Sequence, residues 1–556
     1  MTHAKKISAF VAMGLLMAVS PVAAQKAPVT TSGGEITYRT MGQDFGVESS
    51  KFTEYRQVPS GTSIPYLNMW STGGKVDFSL TGYNVSQKDQ QYIGKANAFG
   101  LGLKFNVNSI NHDLGNNART IYTQSAPGVW SMSSTLRQAL QNAVDAPGAG
   151  VGATTNYIRF LPNYQALLAP TFASANVINL NGVRRTGDVA LNLGTRLPVD
   201  VTLTYRNELK TGYRGQAGIN ENFRISPALQ VGSPLDEITN DFGLRAAKKF
   251  TFGSAYVTYN RNMYNNRAEL LMIDYPFQAA DAPVVAAQSP ATATSLPSMG
   301  GPSREQAVLM PDNSANTVTA GFTLKFKLQT RINAGFSLSS RAQDAKFYGY
   351  TAYTMAKTAN TALGVALPGM PQQSLNGKTE AQMINLSISS RPIEGLNLRA
   401  QYRSYDLTDK TKRFVVPGAY IGTGWIAANL ADGPQGFPTA NVLDTKTSRF
   451  NATASYDYKA LTIEGQVRTG TLERTFREAE KGTESGMGVT ALYHYNDWLG
   501  FRGTYDNSKR TAEGHTVYGY QADEAPLTNT RMGVDLELTP MDGLDFSVGY
   551  IKRKVE

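Results

Sequence analysis

The sequence predicts an all-β chain, a large antiparallel transmembrane β-barrel of about 18–20 or more strands with short periplasmic turns and long extracellular loops. Three observations predict it. Apolar and polar residues alternate in run after run, many runs are about 10–13 residues long, and tight connections alternate with long ones.

The alternation has period two. Val199, Val201, Leu203 and Tyr205 alternate with Asp200, Thr202, Thr204 and Arg206. Val318, Ala320, Phe322, Leu324, Phe326 and Leu328 alternate with Thr319, Gly321, Thr323, Lys325 and Lys327. Leu396 to Arg403, Leu461 to Arg468, Met532 to Leu538 and Leu544 to Tyr550 repeat the pattern. Such a strand has one apolar and one polar face. In a soluble sandwich the apolar face would be core; in an outer-membrane barrel it meets lipid and the polar face lines a lumen. Length favours the barrel, because soluble strands usually run to about 5–6 residues, whereas these are long enough to cross hydrocarbon at a tilt. Aromatic residues gather near strand ends (Tyr205, Tyr259, Tyr402, Tyr405, Tyr456, Tyr458, Tyr493, Tyr495, Trp498), as an interfacial girdle requires.

The expected strands are 35–41, 62–71, 75–85, 97–107, 185–196, 199–209, 235–247, 251–263, 316–328, 330–341, 382–391, 395–406, 446–458, 460–473, 484–496, 498–509, 527–538 and 543–554. Short turns join them at Ser71–Gly74, Arg196–Pro198, Lys249–Thr251, Gln329, Arg391–Gly395, Tyr458–Ala460, Asn496–Asp497 and Thr539–Gly543. Long connections cover 42–61, 86–96, 211–234, 265–315, 343–380, 408–444, 475–483 and 511–526. Loop alternation demands an odd number of further strands within 108–182, where 154–162 is the candidate. Leu136, Leu140 and Ala143 lie at helical spacing within Ser131 to Val144, either a short helix in the lumen or periplasm or a packed loop helix. With about 19 strands, the last ends on the long-loop side at Lys552–Glu556, so the expectation is that C-terminal strands are lacking or that closure is unusual.

The N-terminus sets the compartment. Lys5 and Lys6, the apolar stretch Ile7 to Val19, and Val22-Ala23-Ala24 before Gln25 have the order of a secretory signal peptide. Residues 1–24 are therefore the expected signal, and residues 25–556 the barrel, placed in the bacterial outer membrane. No later run of about 20 apolar residues could form a transmembrane helix. Cysteine is absent, which excludes disulfides, thiolate metal sites, cysteine nucleophiles and covalent c-type haem attachment. The net charge of +10 is spread without a Lys/Arg cluster, so an exported chain of this kind is not expected to bind nucleic acid.

A barrel this wide needs something in its bore, since 16–18 strands already enclose water. No plug domain is expected before the first strand, which would leave inward-folded loops or another protein. No P-loop, GxGxxG, HExxH or Ser-His-Asp arrangement appears in a useful context, so the chain is not expected to be an enzyme, and no catalytic, cofactor-binding or metal residue is assigned. His112, His494 and His515 are dispersed and read as turn or surface residues. Asp77, Asp200 and Glu464 are expected to face the lumen, and Lys325, Lys327, Arg399, Arg403 and Arg468 are candidate basic lumen positions.

Ser50-Lys51-Phe52-Thr53-Glu54-Tyr55-Arg56-Gln57-Val58-Pro59-Ser60-Gly61 resembles the loop after the first strand of the MtrB/PioB family. Val76 to Val85 with Lys88-Asp89-Gln90-Gln91-Tyr92, Phe99 to Phe105, Ile110-Asn111-His112 and Ala118 to Tyr122 resemble that family as well, over roughly 34–145. The resemblance implies a barrel that sheathes a periplasmic multihaem c-type cytochrome and supports electron transfer across the outer membrane. It implies that haem belongs to that partner, with no cofactor on this chain, and that an extracellular multihaem cytochrome is a further partner. The basic lumen positions would then oppose haem propionates or acidic cytochrome surface. The competing readings are a stand-alone porin or solute channel and, from another class, an outer-membrane enzyme or adhesin.

Overall fold

A computed structural model describes residues 30–556 apart from 43–49, 53, 56–59, 146–161, 195–196, 219–228, 277–278, 281–302, 348–371, 413, 415–417, 422–423, 428–443, 476–478, 515–525 and 542. The expected signal segment, residues 154–161 and His515 lie outside the described residues.

Nineteen strands form one antiparallel sheet in which each pairs with its neighbours in sequence. They are β1 (Thr31–Met41), β2 (Gly61–Thr72), β3 (Val76–Val85), β4 (Gln90–Ala98), β5 (Leu101–Thr120), β8 (Asn176–Asn192), β9 (Asp200–Gly218), β10 (Leu229–Phe250), β11 (Gly253–Asn266), β14 (Asn313–Lys325), β15 (Arg331–Gln343), β16 (Gly377–Ser390), β17 (Leu396–Asp409), β20 (Thr445–Tyr458), β21 (Leu461–Arg474), β22 (Ala479–Asn496), β23 (Leu499–Gly514), β24 (Leu527–Met541) and β25 (Leu544–Val555). Among the described residues no ladder pairs β1 with β25.

Among the described residues the odd strand demanded by loop alternation is β4, largely within the expected long connection 86–96, while β5 pairs directly with β8. Phe99 and Gly100 both take positive φ (52° and 75°), the left-handed pair that a two-residue hairpin turn requires. The strand escapes the alternation test because its apolar face carries only Tyr92, Gly94, Ala96 and Ala98. Phe105 from β5 supplies the missing bulk by lying over Gly94, where an added Cβ would meet the ring at 2.1 Å.

The outward face is greasy and exposed. Val318, Phe322, Phe336, Leu338, Leu386, Ile388, Ile463, Val467, Val489 and Phe501 all leave their side chains uncovered. The band has clear edges. At its upper limit the Tyr205 hydroxyl donates to Asn240 Oδ1 (2.8 Å) and that of Tyr259 to Asn316 Oδ1 (2.9 Å), so each ring caps apolar surface while its hydroxyl meets the next polar row. At the turn end Tyr456 stacks on Tyr458 and Phe250 on Phe252, with Lys459 and Lys248 over the rings of Tyr458 and Phe250. Tyr493, Tyr495 and Trp498 continue this lower girdle. Tyr405 departs from the expected girdle: register places it opposite Met383 and Thr447 on the polar face.

The packed core lies at the end bearing the long connections, where short elements from those connections close over Val231 near the start of β10. β6 (Thr123–Ala126), β7 (Val129–Ser131), α1 (Ser134–Asp145) and α2 (Pro162–Ala173) come from the β5–β8 connection. β12 (Leu270–Asp274) and β13 (Arg304–Val308) come from the β11–β14 connection, and Met272 and Ile273 pair in parallel with Val129 and Trp130. Tyr122, Trp130, Met132, Leu140, Val231, Leu271, Ile273 and Tyr275 form its core. The helix expected within 131–144 is thus a packed one, with Leu140 fully buried. A short ribbon, β18 (Gly418–Ile421) with β19 (Gly424–Ala427), is separate.

Polar contacts tie this rim unit together. Asp274, 3% exposed, accepts from Arg304 Nε (2.7 Å) and Met132 N (3.0 Å), and lies 3.4 Å from Arg137 Nη1. Trp130 Nε1 donates to the Gly232 carbonyl of β10 (2.8 Å), which anchors the unit to the wall. The Tyr122 hydroxyl donates to the Asp274 carbonyl (3.0 Å), and burial, reinforced by the Asp274 and Glu305 carboxylates, holds its pKa far above the ordinary phenol value. Unfolded tyrosine titrates near pH ~10, so the unit keeps its full stability below that pH and loses it as pH rises further. Alkaline titration at 295 nm should therefore show no tyrosinate from Tyr122, measured as wild type minus Tyr122→Phe, until the rim unit opens.

Candidate functional site: the polar inner face

Register carries one polar surface around the whole sheet. On β14, β15 and β16 it is a hydroxyl and amide ladder: Thr317 to Ser339 (3.0 Å), Thr319 to Ser337 (3.0 Å), Thr323 to Asn333 (2.9 Å) and Asn333 to Ser387 (3.2 Å). Side chains lie flat along this wall where a neighbouring strand offers a glycine. Tyr256 covers Gly321, where an added Cβ would meet Cε1 at 2.6 Å, and Arg245 sits over the Tyr256 ring. Arg468 crosses β22 above Gly486, its Nε 2.8 Å from the place a Cβ would take, to reach Asp506 on β23.

The charges divide into sectors. Across β8 to β10 they are compensated: Glu208 takes Arg184 (2.5 Å), Arg206 (3.3 Å) and Lys210 (3.5 Å), Arg206 also faces Asp188 (3.7 Å), and Lys210 faces Glu237 (3.3 Å). Across β21 to β24 they are compensated again, by a bidentate Arg468–Asp506 pair (2.7 Å for both bonds) and Arg502–Glu537 (2.6 Å). Between them, β14 to β20 present Lys325, Arg331, Arg341, Arg399, Arg403 and Arg449 on the inner face. The carboxylates sharing that face among the described residues, Asp409 and Asp457, stand at strand ends and bond locally to Thr411 N and Thr462 Oγ1.

Of the basic positions expected from the sequence, Lys325, Arg399 and Arg403 stand exposed on this face, Arg468 is neutralised by Asp506, and Lys327 lies in the β14–β15 turn. The expected acids Asp77, Asp200 and Glu464 all fall on the polar face, where Asp77 also accepts from Gly73 N of the adjoining turn (2.8 Å). Sequence reading missed Arg331, Arg341 and Arg449, because a lone arginine in an alternating strand says nothing about what stands opposite it. His112 contacts the Glu54 carbonyl (3.0 Å) and the edge of Tyr55, holding the loop after β1 against β5. Among the described residues no group of three His, Asp or Glu could hold a metal ion.

An outward apolar band between two aromatic girdles, with a continuous polar face behind it, defines a large outer-membrane β-barrel protein. The chain belongs to the outer membrane beta-barrel porin family MtrB/PioB, whose pattern matches residues 46–533. No curated protein matches it. Among solved structures, the copper transporter OprC is 11% identical, with 86% of this chain and 71% of that one covered and a TM-score of 0.32. The closed form of the ferric-catecholate import receptor Fiu from E. coli K12 is 10% identical (90% and 71% covered, TM-score 0.38). The siderophore receptor PirA from Acinetobacter baumannii is 10% identical (94% and 76% covered, TM-score 0.29). Likeness at this level carries no argument about function.

Proposed function

We propose that this barrel sheathes a periplasmic multihaem c-type cytochrome and so supports electron transfer across the outer membrane, with an extracellular multihaem cytochrome as a further partner. The observation that carries the reading is a 19-stranded wall with a largely polar inner face, on a cysteine-free chain of the MtrB/PioB family. A wall of this size encloses room for more than water. Without cysteine the chain attaches no c-type haem, so the redox centres belong to the occupant and the barrel supplies insulation, fit and position.

The test is purification of the chain from its native outer membrane in mild detergent. A haem-staining protein with a c-type Soret band should co-purify in fixed ratio and resist protease added to intact cells. Recovery of the chain from its native membrane with no haem protein in the preparation would replace this reading with that of a stand-alone porin.

A further inference from the structure

We infer that the inner face is an anion-receiving surface whose occupant is a folded protein presenting acidic groups, gripped at several heights by cation pairs that the barrel itself leaves uncompensated. The inference rests on the sheathing proposal for the kind of occupant, and on the strand register for its charge.

Five cross-strand partners in the sheet are cation facing cation: Lys95↔Lys104, Arg184↔Lys210, Lys325↔Arg331, Arg403↔Arg449 and Arg531↔Arg553. All five lie on the inner face. Among the described ladders no carboxylate faces a carboxylate, although Asp and Glu together number 43 against 53 Lys and Arg. Like charges directly opposite destabilise a sheet, so a wall shaped by stability alone would avoid both kinds of pair. This wall avoids only one kind.

Two of the five are relieved within the barrel. Arg184 and Lys210 share Glu208, and Arg531 stands opposite Asp506. The other three have no carboxylate within ion-pair distance among the described residues, and all six of their side chains are exposed. They also differ in height. Lys325 and Arg331 flank the short β14–β15 turn, and Lys95 and Lys104 stand within the apolar band beside Gly94 and Phe105. Arg403 and Arg449 reach the level of Tyr402 at the band's upper edge, with Arg399 below them on β17. The pairs are spread around the wall too, on β4/β5, β14/β15 and β17/β20, with the compensated strands β8 to β10 between the first and the other two. A small anion in so wide a bore meets one pair at a time. A folded body that fills the bore meets them together, and its carboxylates would relieve the repulsion the empty wall carries.

The test uses the mature chain in planar bilayers with two polypeptide probes of opposite charge, poly-L-glutamate and poly-L-lysine. Poly-L-glutamate should block conductance at a concentration at least about tenfold below that of poly-L-lysine, and less well as KCl is raised from about 0.1 to 1 M. The double variant R403E/R449E should lose most of that preference, and R403K/R449K should keep it; the lysine variant guards against misfolding, and heat-modifiable gel mobility checks both. Equal block by the two probes, or an unchanged preference in R403E/R449E, would overturn the inference. Co-purification of a haem protein is read separately, so loss of the sheathing proposal and loss of the anion-receiving face are distinguishable.

Discussion

Replacing Val467 by arginine is expected to destabilise the folded barrel by about 2–4 kcal/mol, the penalty for a cation near the bilayer midplane. Val467 is 52% exposed on the apolar face of β21, opposite Ala452 and Met487, with no polar partner in reach. The same substitution at Thr490, whose inner-face neighbours are Glu464 and Thr504, should be close to neutral. Denaturant unfolding from lipid vesicles measures both. A costly Thr490→Arg beside a harmless Val467→Arg would mean that the two faces have been assigned the wrong way round.

The second large effect belongs to the rim unit. Asp274→Ala removes the acceptor for Arg304 Nε and Met132 N and the counter-charge of Arg137, a side chain otherwise bonded to the Tyr275 and Ser303 carbonyls. Breaking a buried ion pair from one side leaves an uncompensated charge and costs about 3–5 kcal/mol. The barrel strands do not depend on this contact, so damage should stay local. Limited trypsin digestion is expected to cut the β5–β8 and β11–β14 connections many times faster in the variant, while heat-modifiable mobility of the barrel is retained. An unchanged cleavage rate would show that the Asp274 cluster does not hold the rim.

Much of the architecture was legible because a lipid-facing strand must announce itself residue by residue. Period-two alternation placed β9, β14, β17 and β21 and assigned Asp77, Asp200, Glu464, Lys325, Arg399 and Arg403 to the polar face, since a side chain's face follows from its parity alone. Where a strand borrowed its apolar cover from a neighbour, as β4 does from Phe105, that signal failed and the strand was read as a long connection.

The amino-acid sequence by itself therefore determined the class of protein, the membrane-facing surface and the lack of any thiol to carry haem, because each depends only on residue type and spacing. Tertiary structure alone decided what stands opposite what. Arg403 meets Arg449 while Arg468 finds Asp506, and Asp274 is buried between arginines from two distant connections. Those outcomes depend on register and on contacts between segments well separated along the chain, for which no local pattern exists.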